Sequence, residues 1–247
     1  MIGFVDFVKF KERMLEHKKD FSKEKSAKGP EQELETTITD DEFYYKLAAE
    51  DVNDPANKWE KKMDVAKNNG MSATIYAKSV PGYRVDWIHS DAFYEGITME
   101  TFMTLNKDVE RMFKGHNQHR EMRTLKYDED GTPCEMYGRN SMGMFMTDRD
   151  NLAKRTVKKN PDGSTLIMMR SFTHPDYPEK DDCIRIRFYL NQLAKEVDGG
   201  LHIKTHQNID PRGYIPSSLM NLVLGTTTKE YLTNMNKNMQ EFQATGK

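Results

Sequence analysis

An α+β fold is predicted, a long curved antiparallel sheet with one long C-terminal helix, and two features of the sequence carry that expectation. Between residues 119 and 208, strand-length segments alternate with clear turns at Asp130-Gly131, Asn160-Pro161-Asp162-Gly163 and Asp198-Gly199-Gly200. Beyond them Tyr231, Met235, Met239 and Phe242 recur at spacings of four, four and three, the apolar stripe of a terminal helix. A long sheet with a single helix buries its apolar face most simply by curving until the helix closes the open side, which can leave a cavity between them.

The elements follow in order. Residues 1–20 suit an amphipathic helix: Phe4, Val8 and Leu15 share a face that Phe7, Phe10 and Met14 widen, opposite a charged side. Five basic and four acidic residues leave that segment a net charge of only +1, which favours docking on a partner or on its own body over lying on a membrane. Residues 21–38 are polar, contain Gly29-Pro30 and read as a linker, so residues 1–38 form an arm and 39–247 a domain. Thr39 or Asp40 suits the N-cap of a helix with an apolar stripe of Phe43, Leu47 and Ala48.

Trp59, Met63 and Val65 fall on one face of a first strand that ends at Asn68-Asn69-Gly70. Two more strands, 71–80 and 83–93, flank Pro81-Gly82, and residues 97–113 form a helix stopped at Lys114-Gly115. Six strands follow at 119–127, 133–141, 151–158, 164–173, 183–195 and 201–208, and Pro216 opens the last helix.

Composition sets outer bounds. The 247 residues fit one domain plus an arm. The net charge of −2 gives no overall pull toward nucleic acid. Residues 1–30 hold eight basic and five acidic side chains, so a modestly basic arm precedes a mildly acidic body. Two cysteines, Cys134 and Cys183, are too few for a disulfide framework or a zinc site and suit a reducing, cytoplasmic setting. No apolar run is long enough to span a bilayer, and the first residues lack a secretory pattern.

Four segments together resemble the START family, the steroidogenic-acute-regulatory-related lipid transfer domains. FYYKLAAEDVNDPANKWE (43–60) is similar to the family's opening helix and first strand, and MTDRDNLAKR (146–155) to its Arg-Asp strand start. Cys183-Ile184-Arg185-Ile186 resembles the strand after the central hairpin, and IDPRGYIPSSLMNLVLG (209–225) the approach to the C-terminal helix. The resemblance implies a helix-grip fold with a tunnel for one lipid. It also implies a gate of helix and loops, for which SMGMFMT (141–147), with flexible Met142, Met144 and Met146, is the candidate.

The resemblance also points to headgroup devices. Sterol-binding members pair an acid on one strand with an Arg on the next. Matched from Arg149, the Arg falls on Arg155 and the acid position on Met136, while the nearest acid, Glu135, belongs to the opposite face. The bland alternative is a solvated or differently paired Arg155 behind an apolar Met136 wall. Phosphatidylcholine carriers resemble one another in an aromatic choline cage. Here Tyr189 falls at one cage position and Gly138 where a Trp is wanted. Neither device is complete, and the ligand class stays open. Arg149 and Asp150 read as a loop anchor. Arg185, Arg187 and Tyr189 share a strand face, and the Tyr189 match favours turning it inward. Tyr231 and Met235 line the tunnel from the helix.

No P-loop, GxGxxG or GxSxG motif is present. His116 with His119, and His202 with His206, are pairs without a third ligand, and no metal or cofactor is expected. The sequence thus reads as a non-enzymatic binder of a single phospholipid or sterol, a carrier or sensor with transient membrane contact. The competing reading is a structural or interaction subunit that docks through residues 1–20, and an enzyme on a related scaffold is the least supported.

Overall fold

The structure, a computed structural model, describes residue 46 and residues 49–112, 119–141, 147–213 and 217–246. The expected arm (1–38), the helix after Thr39, the Lys114-Gly115 stop, the Met142, Met144 and Met146 gate and the Pro216 helix start therefore lie outside the described residues or nearly so. Ten strands are described: β1 (Glu60–Asn68), β2 (Met71–Lys78), β3 (Trp87–Glu95), β4 (His119–Tyr127), β5 (Pro133–Asn140), β6 (Asp148–Lys159), β7 (Thr165–Ser171), β8 (Cys183–Arg185), β9 (Arg187–Val197) and β10 (Gly200–Asp210). The helices are α1 (Met99–Lys107), α2 (Val109–Met112) and α3 (Ser217–Thr245). The strands form one open sheet in the order β1-β2-β3-β10-β9-β7-β6-β5-β4, antiparallel throughout, with β8 parallel to β6 off that path.

Among the boundaries that differ from expectation, three have a clear local reason. The single helix expected over 97–113 breaks at Asp108, which leaves helical geometry and accepts the Arg111 N–H through Oδ1 at 3.0 Å, starting α2. The strand expected over 183–195 changes partners at Ile186. There the backbone N–H donates to Asp150 O at 2.8 Å, and the chain leaves β6 to join β7 and β10. The third strand begins at Trp87 instead of residue 83, because Pro81-Gly82 turns the chain and Tyr83 N–H closes on Val80 O at 3.1 Å. At the β1–β2 hairpin Asn69 and Gly70 both hold positive φ (49° and 75°), the backbone that a tight hairpin turn demands.

Strand register assigns the two faces. Ile75, Ser90, Thr205, Gln192 and Ile167 stand in one row across β2, β3, β10, β9 and β7. That row faces α3, since Ile75 and Ile167 share a core with Leu224, Leu232, Met235 and Met239 of the helix. Each such apolar side chain taken fully from water contributes about 1.5–3 kcal/mol. Polar contacts fix the far end of α3: Asn236 Nδ2 donates to Asn69 O (2.9 Å) and Gln243 Nε2 to Gly96 O (2.7 Å). No described helix is long and apolar enough to cross a membrane.

Candidate functional site

The face toward α3 is not uniform. At β1–β3 and β10 the helix fills the space with packed side chains. Met235 is among them, 3% exposed, with Met239 and Leu232 beside it. Toward β5, β6 and β9 a second cluster lies apart, made of Val109, Met136, Ala153, Ile186 and Phe188, with Met122, Met169 and Leu190 packed against it.

Arg155 stands within this second region. Residues 149, 151, 153 and 155 of β6 point to the α3 side with Ala153, because strand side chains alternate. The guanidinium is buried, at 4% exposure, which excludes the solvated alternative. Its Nε donates to Pro133 O at 2.7 Å and its Nη1 to Asn106 Oδ1 of α1 at 3.5 Å. Its Nη2 finds no partner among the described residues. Burial lowers its pKa to about 10, against the opposing pull of Asp128 and Cys134, so it stays charged at neutral pH. Met136 is buried beside Ala153, its register partner on β6, while Glu135 stands opposite Lys154 on the other face.

Gly138 also looks toward α3, two residues from Met136. Its register partner is Asn151, whose Oδ1 lies only 2.4 Å from where a Cβ on residue 138 would stand. The missing side chain is thus filled by a carboxamide. Asn151 Oδ1 and Asn140 Oδ1 are buried without a partner among the described residues, as are Gln192 Nε2 and Thr205 Oγ1 in the central row. Tyr231 on α3 lies beside Gln192, and burial raises its pKa. Buried polar atoms are nearly always paired, so several orphans on one face mark where something polar belongs.

The expectation that Arg185, Arg187 and Tyr189 face the interior is corrected. Ile186, Phe188 and Leu190 occupy the inward positions, in the cluster with Met136, so the residues between them are turned to the other face. Tyr189 stacks on Trp87, with centroids 6.3 Å apart, in a separate cluster around Trp59. Arg185 finds its counter-charge inside the protein: Nε donates to Asp150 Oδ1 (2.7 Å) and Nη2 to Asp150 Oδ2 (2.9 Å). With Arg187 and Tyr189 it borders a groove of about 450 Å³ that Phe172, His174 and Tyr177 complete. Arg149 is buried and donates Nε to Pro211 O (2.9 Å) and Nη2 to Arg212 O (3.4 Å), holding the start of β6 to the end of β10. Met142 and Met144 lie outside the described residues.

On that outer face His89 and His206 meet, His89 Nδ1 lying 2.8 Å from His206 Nε2, with the edge of Trp59 against both rings. Burial lowers their pKa values to about 4 and about 3, so both are neutral at pH 7. His202 hydrogen-bonds Asp91. Among the described residues no group of three or more His, Cys, Asp or Glu side chains is placed to hold a metal. Sequence reasoning missed Asn106, Asn140, Asn151, Gln192 and Thr205. The apolar alternation Ile186, Phe188, Leu190 was the available signal for the face, but a contact such as Asn106 with Arg155, 49 positions apart, leaves none.

Comparison with known proteins bears on this arrangement. The family model described as START domain matches residues 44–245. Phosphatidylcholine transfer protein of Bos taurus is 30% identical over 82 residues, which cover 32% of this chain and 38% of that protein. The Mus musculus protein of the same name is 32% identical over 79 residues, covering 31% and 37%. The chain thus matches well under half the length of these relatives. Human STARD10 superposes with a TM-score of 0.66 at 17% identity, covering 82% of this chain and 79% of that one. A STAR-related lipid transfer protein fragment from Xanthomonas axonopodis does so with a TM-score of 0.62 at 19% identity, covering 74% and 98%. At such identities these two structures establish the common fold.

Proposed function

The chain belongs to the START domain family, and from that premise we propose that it binds a single lipid between the sheet and α3, as a carrier or sensor and not as a catalyst. The observation that carries this reading is the cluster of unpartnered buried polar atoms on the α3 face, Arg155 Nη2 foremost, set in an otherwise apolar wall. An apolar pocket with a few converging polar groups is what a lipid with a polar head requires. Chain burial would supply most of the affinity, at roughly 25 cal/mol per Å².

The ligand belongs at the β5–β6–β9 end. Met136, Gly138 and Arg155 are its proposed contacts there, with Tyr231 from the helix. Met142 and Met144, on the strength of the resemblance, are the proposed gate. Met235 is proposed as the floor that bounds the site where α3 packs tightly. The relatives' names make phosphatidylcholine the first candidate, but the carboxamide of Asn151 occupies the space beside Gly138 where a choline cage would want an aromatic ring. Transient contact with a membrane for loading and release is part of the proposal.

A second reading has one observation in its favour. Leu232, Met235 and Met239 are 0–3% exposed, so much of the face under α3 is closed by the protein's own side chains. On that reading the domain is an interaction subunit, residues 39–247 forming its body and residues 1–38 its docking arm. Native mass spectrometry of the protein purified from its own source, followed by lipid identification after denaturation, separates the two. A stoichiometric lipid supports the carrier. An empty protein that also takes nothing from liposomes supports the subunit.

A further inference from the structure

We infer that the lipid this domain selects carries an acidic headgroup, a carboxylate or phosphate monoester, whose negative charge is received by Arg155; the inference rests on the lipid-binding reading above. Arg155 is nine-tenths buried and more, yet its bonds go to neutral oxygens, Pro133 O and Asn106 Oδ1. Those oxygens satisfy two donors but carry no charge, and the negative charge that acts on the guanidinium from Asp128 comes from an exposed turn without a hydrogen bond. Nη2 has no acceptor among the described residues. A buried cation without a counter-charge costs several kcal/mol, so either the protein or its ligand is expected to supply an anion.

Among the described residues no carboxylate is hydrogen-bonded to Arg155. Position 136, on the same face as Arg155 and paired with Ala153, is a thioether, and Glu135 is on the other face opposite Lys154. Asp128 is exposed in the β4–β5 turn, where Oδ1 accepts the N–H groups of Asp130 and Thr132. Residues 113–118, 142–146 and 214–216 contain no Asp or Glu. On β7 its register partner is the apolar Met169, and the next pair along the ladder on the same face is Met136 with Ala153.

Ligand chemistry follows from what would satisfy this group. A sterol hydroxyl offers an acceptor for Nη2 but no charge. A phosphocholine offers phosphate but brings its own cation, for which the Gly138–Asn151 site provides no aromatic face. An acidic head offers acceptor and counter-charge at once, and planar guanidinium geometry suits both carboxylate and phosphate.

The test uses the full chain and three series of phosphatidylcholine vesicles, doped with oleic acid, with phosphatidic acid or with cholesterol. The protein is re-isolated and its bound lipid weighed by native mass spectrometry. The expected result is enrichment of one or both acidic lipids over phosphatidylcholine by about tenfold or more, the scale of a charge-assisted hydrogen bond. Whichever acid series is enriched tells carboxylate from phosphate. Arg155→Gln is expected to bring the bound ratio down to that of the vesicles while lipid is still carried, and Arg155→Lys to retain enrichment. Should Arg155→Gln fail to fold, the wild-type ratio and Arg155→Lys still decide. Bound phosphatidylcholine or cholesterol in preference to the acids, or unchanged enrichment in Arg155→Gln, overturns the inference and leaves lipid binding standing. A wild-type protein that takes no lipid from any series overturns both.

Discussion

Asp150 and Arg185 form a two-pronged ion pair across the only parallel junction among the described strands, Nε to Oδ1 at 2.7 Å and Nη2 to Oδ2 at 2.9 Å. Their side chains are 1% and 10% exposed, so neither charge has water to fall back on. The Arg185 guanidinium also donates to Tyr177 O at 3.2 Å, tying the 172–182 loop to the pair. Asp150→Asn leaves a buried cation uncompensated and is expected to cost about 3–5 kcal/mol. Urea unfolding reads this directly. A loss under about 1 kcal/mol would mean that the pair behaves like an exposed one.

The His89–His206 pair makes stability depend on pH in a calculable direction. Two facing ring nitrogens at 2.8 Å can share one proton but not hold two. Burial, opposed at His89 by Asp91 and reinforced at both rings by Lys204, puts the folded pKa values at about 4 and about 3. The unfolded chain titrates near 6.5. In the window between, the unfolded state binds more protons, so stability rises with pH. It is fully present above about 6.5 and is lost as pH falls toward 4 and then 3, by up to ~1.4 kcal/mol per pH unit for each histidine. Urea midpoints measured from neutral pH downward are expected to fall, and His206→Gln to flatten the curve. Equal curves for the two proteins would show that other groups govern acid unfolding.

Two glycines without positive φ are held by close approach alone, and they are expected to answer differently. A Cβ at Gly200 would meet Tyr94 O at 2.2 Å, a backbone atom of the paired strand that cannot step aside. A Cβ at Gly138 would meet Asn151 Oδ1 at 2.4 Å, the free end of a side chain. Gly200→Ala is therefore expected to cost about 3 kcal/mol or more through overpacking, and Gly138→Ala about 1 kcal/mol. Adding Asn151→Ala should recover the second loss but not the first. Thermal denaturation of the four variants tests this, and equal losses at the two glycines would contradict it.

What the sequence disclosed was local. The hairpins at Gly131, Gly163 and Gly199 were readable because each glycine holds a positive φ that a turn requires. The α3 stripe was readable because Met235 and Met239 repeat at one turn of helix. The change of partner at Ile186 was not, since it depends on β6 offering its first residues to β8 and its last to β7. The face of Tyr189 was misjudged because a resemblance at one position outweighed the apolar alternation on either side of it. For the site, Arg155 was visible as a residue, but its isolation was not. Asn106 lies 49 positions away on α1, and only folding shows that the group beside the guanidinium is a carboxamide and not a carboxylate.

That isolation has a consequence for the empty protein. If the charge of Arg155 awaits a ligand, the apo domain bears a cost that an apolar side chain would remove. Arg155→Met keeps most of the volume, abandons the bonds to Pro133 O and Asn106 Oδ1, and places a thioether opposite Met169. Replacing buried charge by apolar volume is often neutral or stabilising, and a gain of about 1–3 kcal/mol is expected in lipid-free protein. Acidic lipid should reverse the order, because ligand binding raises the stability of the wild type in proportion to its affinity and gives less to the variant. Melting curves of both proteins, with and without phosphatidic acid, check the crossing. A variant that is destabilised by several kcal/mol without lipid would show that the guanidinium is already satisfied within the fold.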